Sequence, residues 1–360
     1  MTTTTVTSAL PTFTVDVDHE AHEPPEARGM RRDDVRLLVS SGHAEPVDAH
    51  FGDLRHILHA GDVLVVNTSA AVAAAIDGRL PTGEPIVVHF SGELPGGLAL
   101  VEVRDPAGGS TRPRVMPAPV DIELLGPGIV HLLTPFAGSA RLWVAKLRLE
   151  APSTLDFLAA FGRPIRYRHV PRDWPIGAYQ TVFAREPGSA EMPSASRPFT
   201  AELVTELVTA GVRVSPVVLH TGVSSLEGGE QPFPERYVVP RATAAAVNTT
   251  HLDGGRVIAA GTTVVRALAT VTDDRGDVHP GQGWTEVVVT PETSLPWADG
   301  LLTGWHEPES SHLLMLQAFA DRRTLADAYG AAPDRGYLWH EFGDSHLLLR
   351  DDAPRDRGSR

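Results

Sequence analysis

The chain has 360 residues, 42% hydrophobic and 21% charged, an ordinary globular composition that excludes disorder, collagen and coiled coil. It has no cysteine, so disulfide scaffolds, zinc ribbons, iron–sulfur sites and a cysteine nucleophile are excluded together. The net charge is −14 and Lys146 is the single lysine among 31 cationic residues, so there is no P-loop, and any nucleic-acid contact needs a local basic patch.

Residues 1–30 are Thr-rich, then acidic around Pro24 and Pro25, and read as an irregular leader. The start lacks the basic n-region of a secretory signal, and no run approaches the ~18 apolar residues of a membrane span, so a cytoplasmic protein is expected. Residues 35–39 predict a strand, and 51–59 a short helix with Leu54, Ile57 and Leu58 on one face. The apolar run 62–67 (DVLVVN) predicts a buried strand.

From 78 to 150 the texture changes to short runs (IVVHF, LALVEV, DIELL, IVHLL) punctuated by Gly and Pro, closing with the imperfect alternation RLWVAKLRL. Such strands predict a small antiparallel barrel or sandwich inserted into a larger domain. Helix–strand alternation then returns. Thr200 predicts the N-cap of a helix over 201–210, closed by Gly211. Strands are expected at 212–220, 256–260, 286–289 and 346–349, and helices at 242–250, 261–269, 313–320 and 324–329. This alternation predicts a mixed α/β domain over 31–77 and 151–349, an insertion over 78–150, and a frayed tail at 350–360.

Three segments could carry chemistry. In RVIAAGTTVVRALAT a buried strand meets Gly261, then Thr262 and Thr263 at a helix start, with Arg266 one turn in. Free amides and the positive helix end suit a carboxylate or phosphate; the alternative is an ordinary capped helix with Arg266 in a surface pair. In VVLHTG, His220 stands at the carboxyl end of a strand, where open α/β sheets place ligands, and could act as acid or base. The alternative is a structural histidine satisfied by its neighbours, and His306 (TGWHEPESS) and Glu235 (PERYVVP) are weighed the same way. In GRPIRYRHVPRDW, Arg163, Arg166, Arg168 and Arg172 are interleaved with Tyr167 and Trp174, a pattern that suits RNA phosphates and stacked bases. A solvated domain junction explains it equally well. Arg28, Arg31, Arg32 and Arg36 form a weaker cluster. HEAHE at 19–23 is not the H-E-x-x-H zinc motif, and neither a G-x-G-x-x-G loop nor a G-x-S-x-G elbow is present.

Taken in order, HFGDLRHILHAGDVLVVN, AYQTVFA, PFTAEL, VVLHTG, PERYVVP, GGRVIAAGTTVVRALAT, WHEPESSHLLMLQAFA and FGDSHLLL resemble the S-adenosylmethionine:tRNA ribosyltransferase-isomerase family over 31–348. The resemblance implies a large mixed α/β domain with a smaller inserted β-barrel domain. It implies transfer and isomerisation of the ribosyl group of S-adenosylmethionine onto an aminomethyl-deazaguanine base of tRNA, with release of adenine and methionine. S-adenosylmethionine is then the co-substrate, with no metal or redox cofactor. The chain departs from the family pattern at 68–71 (TSAA), Pro198, Phe233 and Gly304.

That reaction asks for a base, a donor for the departing adenine, and a cationic cradle for the methionine carboxylate. Gly261, Thr262, Thr263 and Arg266 are expected to form the cradle. His220 or His306 is the expected acid or base, with Glu235 orienting or binding. Asn67, Tyr179, Gln180 and Asp344 are matched polar positions for substrate binding, and the 163–172 arginines are the expected tRNA contact. A small acceptor instead of tRNA, or a non-catalytic binding protein on the same scaffold, remains open at this stage, as does the oligomeric state.

Overall fold

The computed structural model describes residues 17–108, 110–136, 139, 141–223, 233–306 and 311–350. Its centre is a nine-stranded mixed sheet, in spatial order Gly281–Thr285, Glu235–Val239, Arg213–Leu219, Val63–Asn67, Val257–Ala260, Gly300–Gly304, Ser345–Leu349, Arg36–Ser41 and Val47–His50. The four strands from Arg213–Leu219 to Gly300–Gly304 run parallel. Val63–Asn67 and Val257–Ala260 are buried at every residue because helices cover both faces, which is why they read as unbroken apolar runs. One face packs under the helices Arg241–Thr250, Thr262–Thr270 and Arg322–Asp334. The other packs under Leu54–Ile57 and Ala201–Thr209.

The second body is antiparallel. Six strands, Ala75–Arg79, Pro85–Leu94, Leu98–Ala107, Leu142–Leu149, Gly128–Pro135 and Asp121–Leu124, close into a barrel, and Ser110–Pro113 extends one edge. The barrel expected from the sequence is therefore present, its first strand starting at Ala75 rather than 78. The chain enters and leaves it side by side. Ala75 and Arg163 exchange both main-chain hydrogen bonds at 2.9 Å, and Arg163 pairs with Asp77 at 2.8 Å.

Thr200 caps its helix as expected, accepting from the Leu203 N–H at 3.1 Å. The strand expected at 286–289 is not there; the pairing strand is Gly281–Thr285. Tertiary register overrides β-propensity at this edge, since Glu235–Val239 pairs through Tyr237 opposite Gly283. The helix expected at 313–320 ends at Leu316, and that at 324–329 extends over Arg322–Asp334. Residues 17–28 of the leader are held to the body rather than loose: Trp339 N–H donates to His19 O at 2.7 Å, and Ala21 is buried. Residues 1–16 and 351–360, on which the rest of the leader and the tail fall, lie outside the described residues.

Candidate active site

Three parallel strands end together at Asn67, Leu219 and Ala260, and their carboxyl ends are where such sheets bind ligands. Asn67 is fully buried, and its side chain continues the ladder one step beyond the strand. It accepts from the Leu219 N–H at 3.0 Å, donates to Leu219 O at 2.8 Å, and accepts from the Ser69 N–H at 3.0 Å. Its amide also reaches Thr263 Oγ1 at 3.2 Å. One asparagine thus joins two strand ends to the start of the next helix.

His220 follows Leu219 directly. Its Nδ1 meets Ser69 Oγ at 2.8 Å, and Ser69 Oγ meets Ser189 Oγ at 2.6 Å. The Thr221 N–H donates to the same Ser189 hydroxyl at 3.0 Å. Nε2, the other ring nitrogen, has no hydrogen bond among the described residues. Burial, then the Arg236 charge, hold the imidazole pKa below its usual value, so the ring is neutral at physiological pH. Gly188 allows this packing, because a Cβ there would stand 2.6 Å from His220 Nδ1.

Gly261 turns the strand Val257–Ala260 into the helix Thr262–Thr270 with φ 102°, a left-handed value that favours glycine. Its carbonyl receives the Val264 and Val265 amides, while the Thr262 and Thr263 amides precede the first intrahelical bond. A Cβ on Gly261 would touch Ala195 at 3.3 Å, which sets this helix end beside a cleft lined by Ser194, Ala195, Gly304 and Ser345.

Arg266 and Glu235, distant in sequence, form one buried ion pair. Arg266 Nε also donates to Val287 O at 3.1 Å, from the 286–289 segment that forms no strand. Glu235 Oε1 accepts from the Gly222 N–H at 2.9 Å, two residues beyond His220. Burial pushes the Glu235 carboxyl up, and Arg266 opposes that shift. The pair therefore couples the loop after His220 to the helix that starts at Gly261. Arg266 is in an internal pair, not the surface pair of the alternative sequence reading.

His306 lies two residues beyond the end of the adjacent strand Gly300–Gly304, bonded through Nε2 to Thr303 Oγ1 at 2.8 Å. Burial, then the neighbouring histidines, hold its pKa well below the usual imidazole value. The other matched polar residues spend their side chains on the scaffold. Gln180 clamps the main chain of Ala71 from both sides, at 3.1 and 2.8 Å. Asp344 accepts from the Arg36 and Leu338 amides at 2.7 and 2.8 Å. Tyr179 packs against Phe342 and Tyr167, its hydroxyl pKa pushed up to about 12 by burial.

Three of the four arginines of the stretch pair with acids at the surface. Arg163 pairs with Asp77, Arg166 with Asp173 at 3.4 Å, and Arg172 with Glu23 at 3.4 Å while lying over Trp174. Arg168 alone of the four is exposed without an ion pair among the described residues. Arg31, Arg32 and Arg36 of the weaker cluster are also paired with acids. Sequence reasoning missed Ser69, Ser189 and Arg197. Arg197 is buried, donates to Ala178 O and Glu26 at 2.9 Å, and has its pKa lowered to about 10 by burial. The sequence carried no signal for Arg197, whose burial appears only in the fold.

A mixed α/β sheet with a closed barrel and a polar cluster at the ends of its parallel strands defines an enzyme scaffold, with a glycine-started helix close to a histidine. The family model described as queuosine biosynthesis protein matches residues 11–348, and the chain belongs to that family. It is 36% identical over 347 residues to the S-adenosylmethionine:tRNA ribosyltransferase-isomerase of Moorella thermoacetica, covering 91% of this chain and 96% of that one. It is 33% identical to the protein of the same name from Synechococcus elongatus, covering 89% and 90%. The crystal structure of S-adenosylmethionine tRNA ribosyltransferase from Thermotoga maritima shares the fold, with 24% identity and a TM-score of 0.52 over 94% of this chain and 99% of that one. Among the described residues no helix is long and apolar enough to cross a membrane.

Proposed function

We propose that this chain transfers and isomerises the ribosyl group of S-adenosylmethionine onto a 7-aminomethyl-7-deazaguanine base in tRNA, releasing adenine and methionine. Family membership across nearly the whole chain supports the reaction class. The observation that carries the site is a pair of neighbouring polar clusters at the strand ends: His220–Ser69–Asn67–Thr263 and, two residues beyond His220, Gly222–Glu235–Arg266. In this reading the Gly261–Thr263 amides receive the methionine carboxylate, with the helix end favouring the anion. Arg266 acts one step back, its planar guanidinium spanning Glu235 and Val287 O so that helix and loop keep their spacing. Neutral His220 takes the proton from the carbon beside the sulfonium through Nε2, and Ser69 holds the ring by Nδ1. His306 is assigned to the adenine side as donor. Tyr179, Gln180 and Asp344 position the surrounding loops, and a tRNA substrate implies work in the cytoplasm.

A second reading, a small acceptor in place of tRNA, is favoured by one observation: three of the four arginines expected to meet RNA already hold acids. Adenine release from S-adenosylmethionine, measured with and without precursor-bearing tRNA, decides between them. Release only with tRNA supports the main reading. Release with a small acceptor alone supports the second, and no release under any condition leaves a binding protein.

A further inference from the structure

The leader sequence HEAHE does not have zinc-motif spacing, but the fold surrounds it with other metal-ligand residues. The bridge between Glu20 and Trp339 sets Glu20 Oε1 3.5 Å from His340 Nε2. His340 is the only non-glycine residue at positive φ (72°) among the described residues, a conformation that turns its ring onto His169. The two imidazoles stack with centroids 4.1 Å apart. His169 Nε2 faces Glu341 Oε2 at 3.1 Å, out of hydrogen-bonding alignment, and neither atom has another hydrogen bond among the described residues. The ligand atoms of His169, His340 and Glu341 all lie within 4.8 Å of one another. His169 and His340 keep only 7% and 13% of their side-chain surface exposed.

We propose that His169, His340 and Glu341 bind one first-row divalent ion of the zinc class, leaving its fourth position for water. Two imidazole nitrogens with carboxylate oxygens suit zinc or cobalt, whereas magnesium and calcium take sites built of oxygen. Bonds of about 2.0–2.2 Å place tetrahedral ligand atoms roughly 3.3–3.6 Å apart. The His169–Glu341 separation is already close to that spacing. Opening the imidazole stack by ring tilt brings the remaining atoms in. The ion joins two segments remote in sequence, the 163–174 loop and the 338–344 loop, and Glu20 of the leader stands beside it through His340. His340 and Glu341 also line the cleft beside Gly304 and Ser345, so the ion braces one wall of the candidate site.

The test is chelator-treated full-length protein titrated with Co2+ alone. The expected result is one equivalent bound, with the intense visible absorption of tetrahedral cobalt, displaced by Zn2+ and untouched by Mg2+. The H169Q/H340Q double variant should lose the band and weaken binding by about tenfold or more. Glu341→Gln, which preserves shape, serves as the second probe and should weaken Co2+ binding by a similar factor. No saturable band in the unsubstituted protein overturns the proposal. So does a band that persists in both variants, which would mean that other histidines bind the ion.

Discussion

Replacing Asn67 by alanine is the sharpest perturbation of the strand-end network. It removes the partner of three main-chain groups: the Leu219 N–H, the Leu219 carbonyl and the Ser69 N–H. A buried group left unsatisfied costs about 1–3 kcal/mol, and a water entering the vacated volume recovers part of that, so the expected loss is about 3–5 kcal/mol. Thr263→Val removes only the 3.2 Å bond from Asn67 and should cost about 0.5–1.5 kcal/mol. Asn67→Asp sharpens the test through its pH dependence. A carboxylate beside the Leu219 carbonyl is disfavoured when charged, so its folded pKa rises above the unfolded value of about 3.9. Its deficit relative to the unsubstituted protein should therefore be smallest below that value and grow as pH rises through the folded pKa. Urea denaturation with unchanged m-value measures all three variants, and adenine release measures whether His220 is still placed. If Asn67→Ala costs less than about 1 kcal/mol and keeps full activity, the side chain is not the strand-end joint argued here.

Gly188→Ala should push the His220 ring away, given the 2.6 Å approach, and lower kcat by about tenfold or more, with the melting temperature falling as well because the backbone there disfavours a Cβ; unchanged kcat would refute the placement. Arg236→Gln removes a positive charge that depresses His220, so the acidic limb of the pH–rate profile should move up, more in low salt than in high. Arg168→Ala should reduce the salt slope of tRNA binding by about one, whereas Arg163→Ala should leave the slope and cost stability at the barrel entry. His346 is fully buried on Trp305, and burial lowers its pKa from 6.5 to about 3. The native chain stays neutral there while the unfolded chain takes up a proton, so stability should fall as pH drops from 6.5 toward 3. His346→Gln, which can still reach Ser40, should make that fall shallower, as read by denaturation at several pH values.

What the sequence determined by itself is local. The parallel core strands were legible because burial on both faces writes a continuous apolar run, as at 62–67 and 256–260. Thr200 was legible because an N-cap is satisfied within three residues of itself. The barrel was legible because short antiparallel strands need turn residues at every reversal. His220 and Gly261 stood out because both follow directly on a strand end. The tertiary structure alone decided the pairings between remote segments. Residues 286–289 had the better strand propensity, yet Gly281–Thr285 took the edge because register against Tyr237 is set across the sheet. Arg266 could have faced solvent or a ligand; the arrival of the Glu235 strand gave it a buried counter-charge. The arginines of 163–172 showed as a basic stretch, but Asp77 and Glu23 come from other parts of the chain to pair with Arg163 and Arg172, while Asp173 of the same stretch pairs with Arg166. His169, His340, Glu341 and Glu20 share no spacing that a motif could capture, since three separate segments bring them together. Hydrophobic period and capping act over a few residues and can be read along the chain. Charge neutralisation and ligand geometry depend on distances in space, which only the folded chain sets.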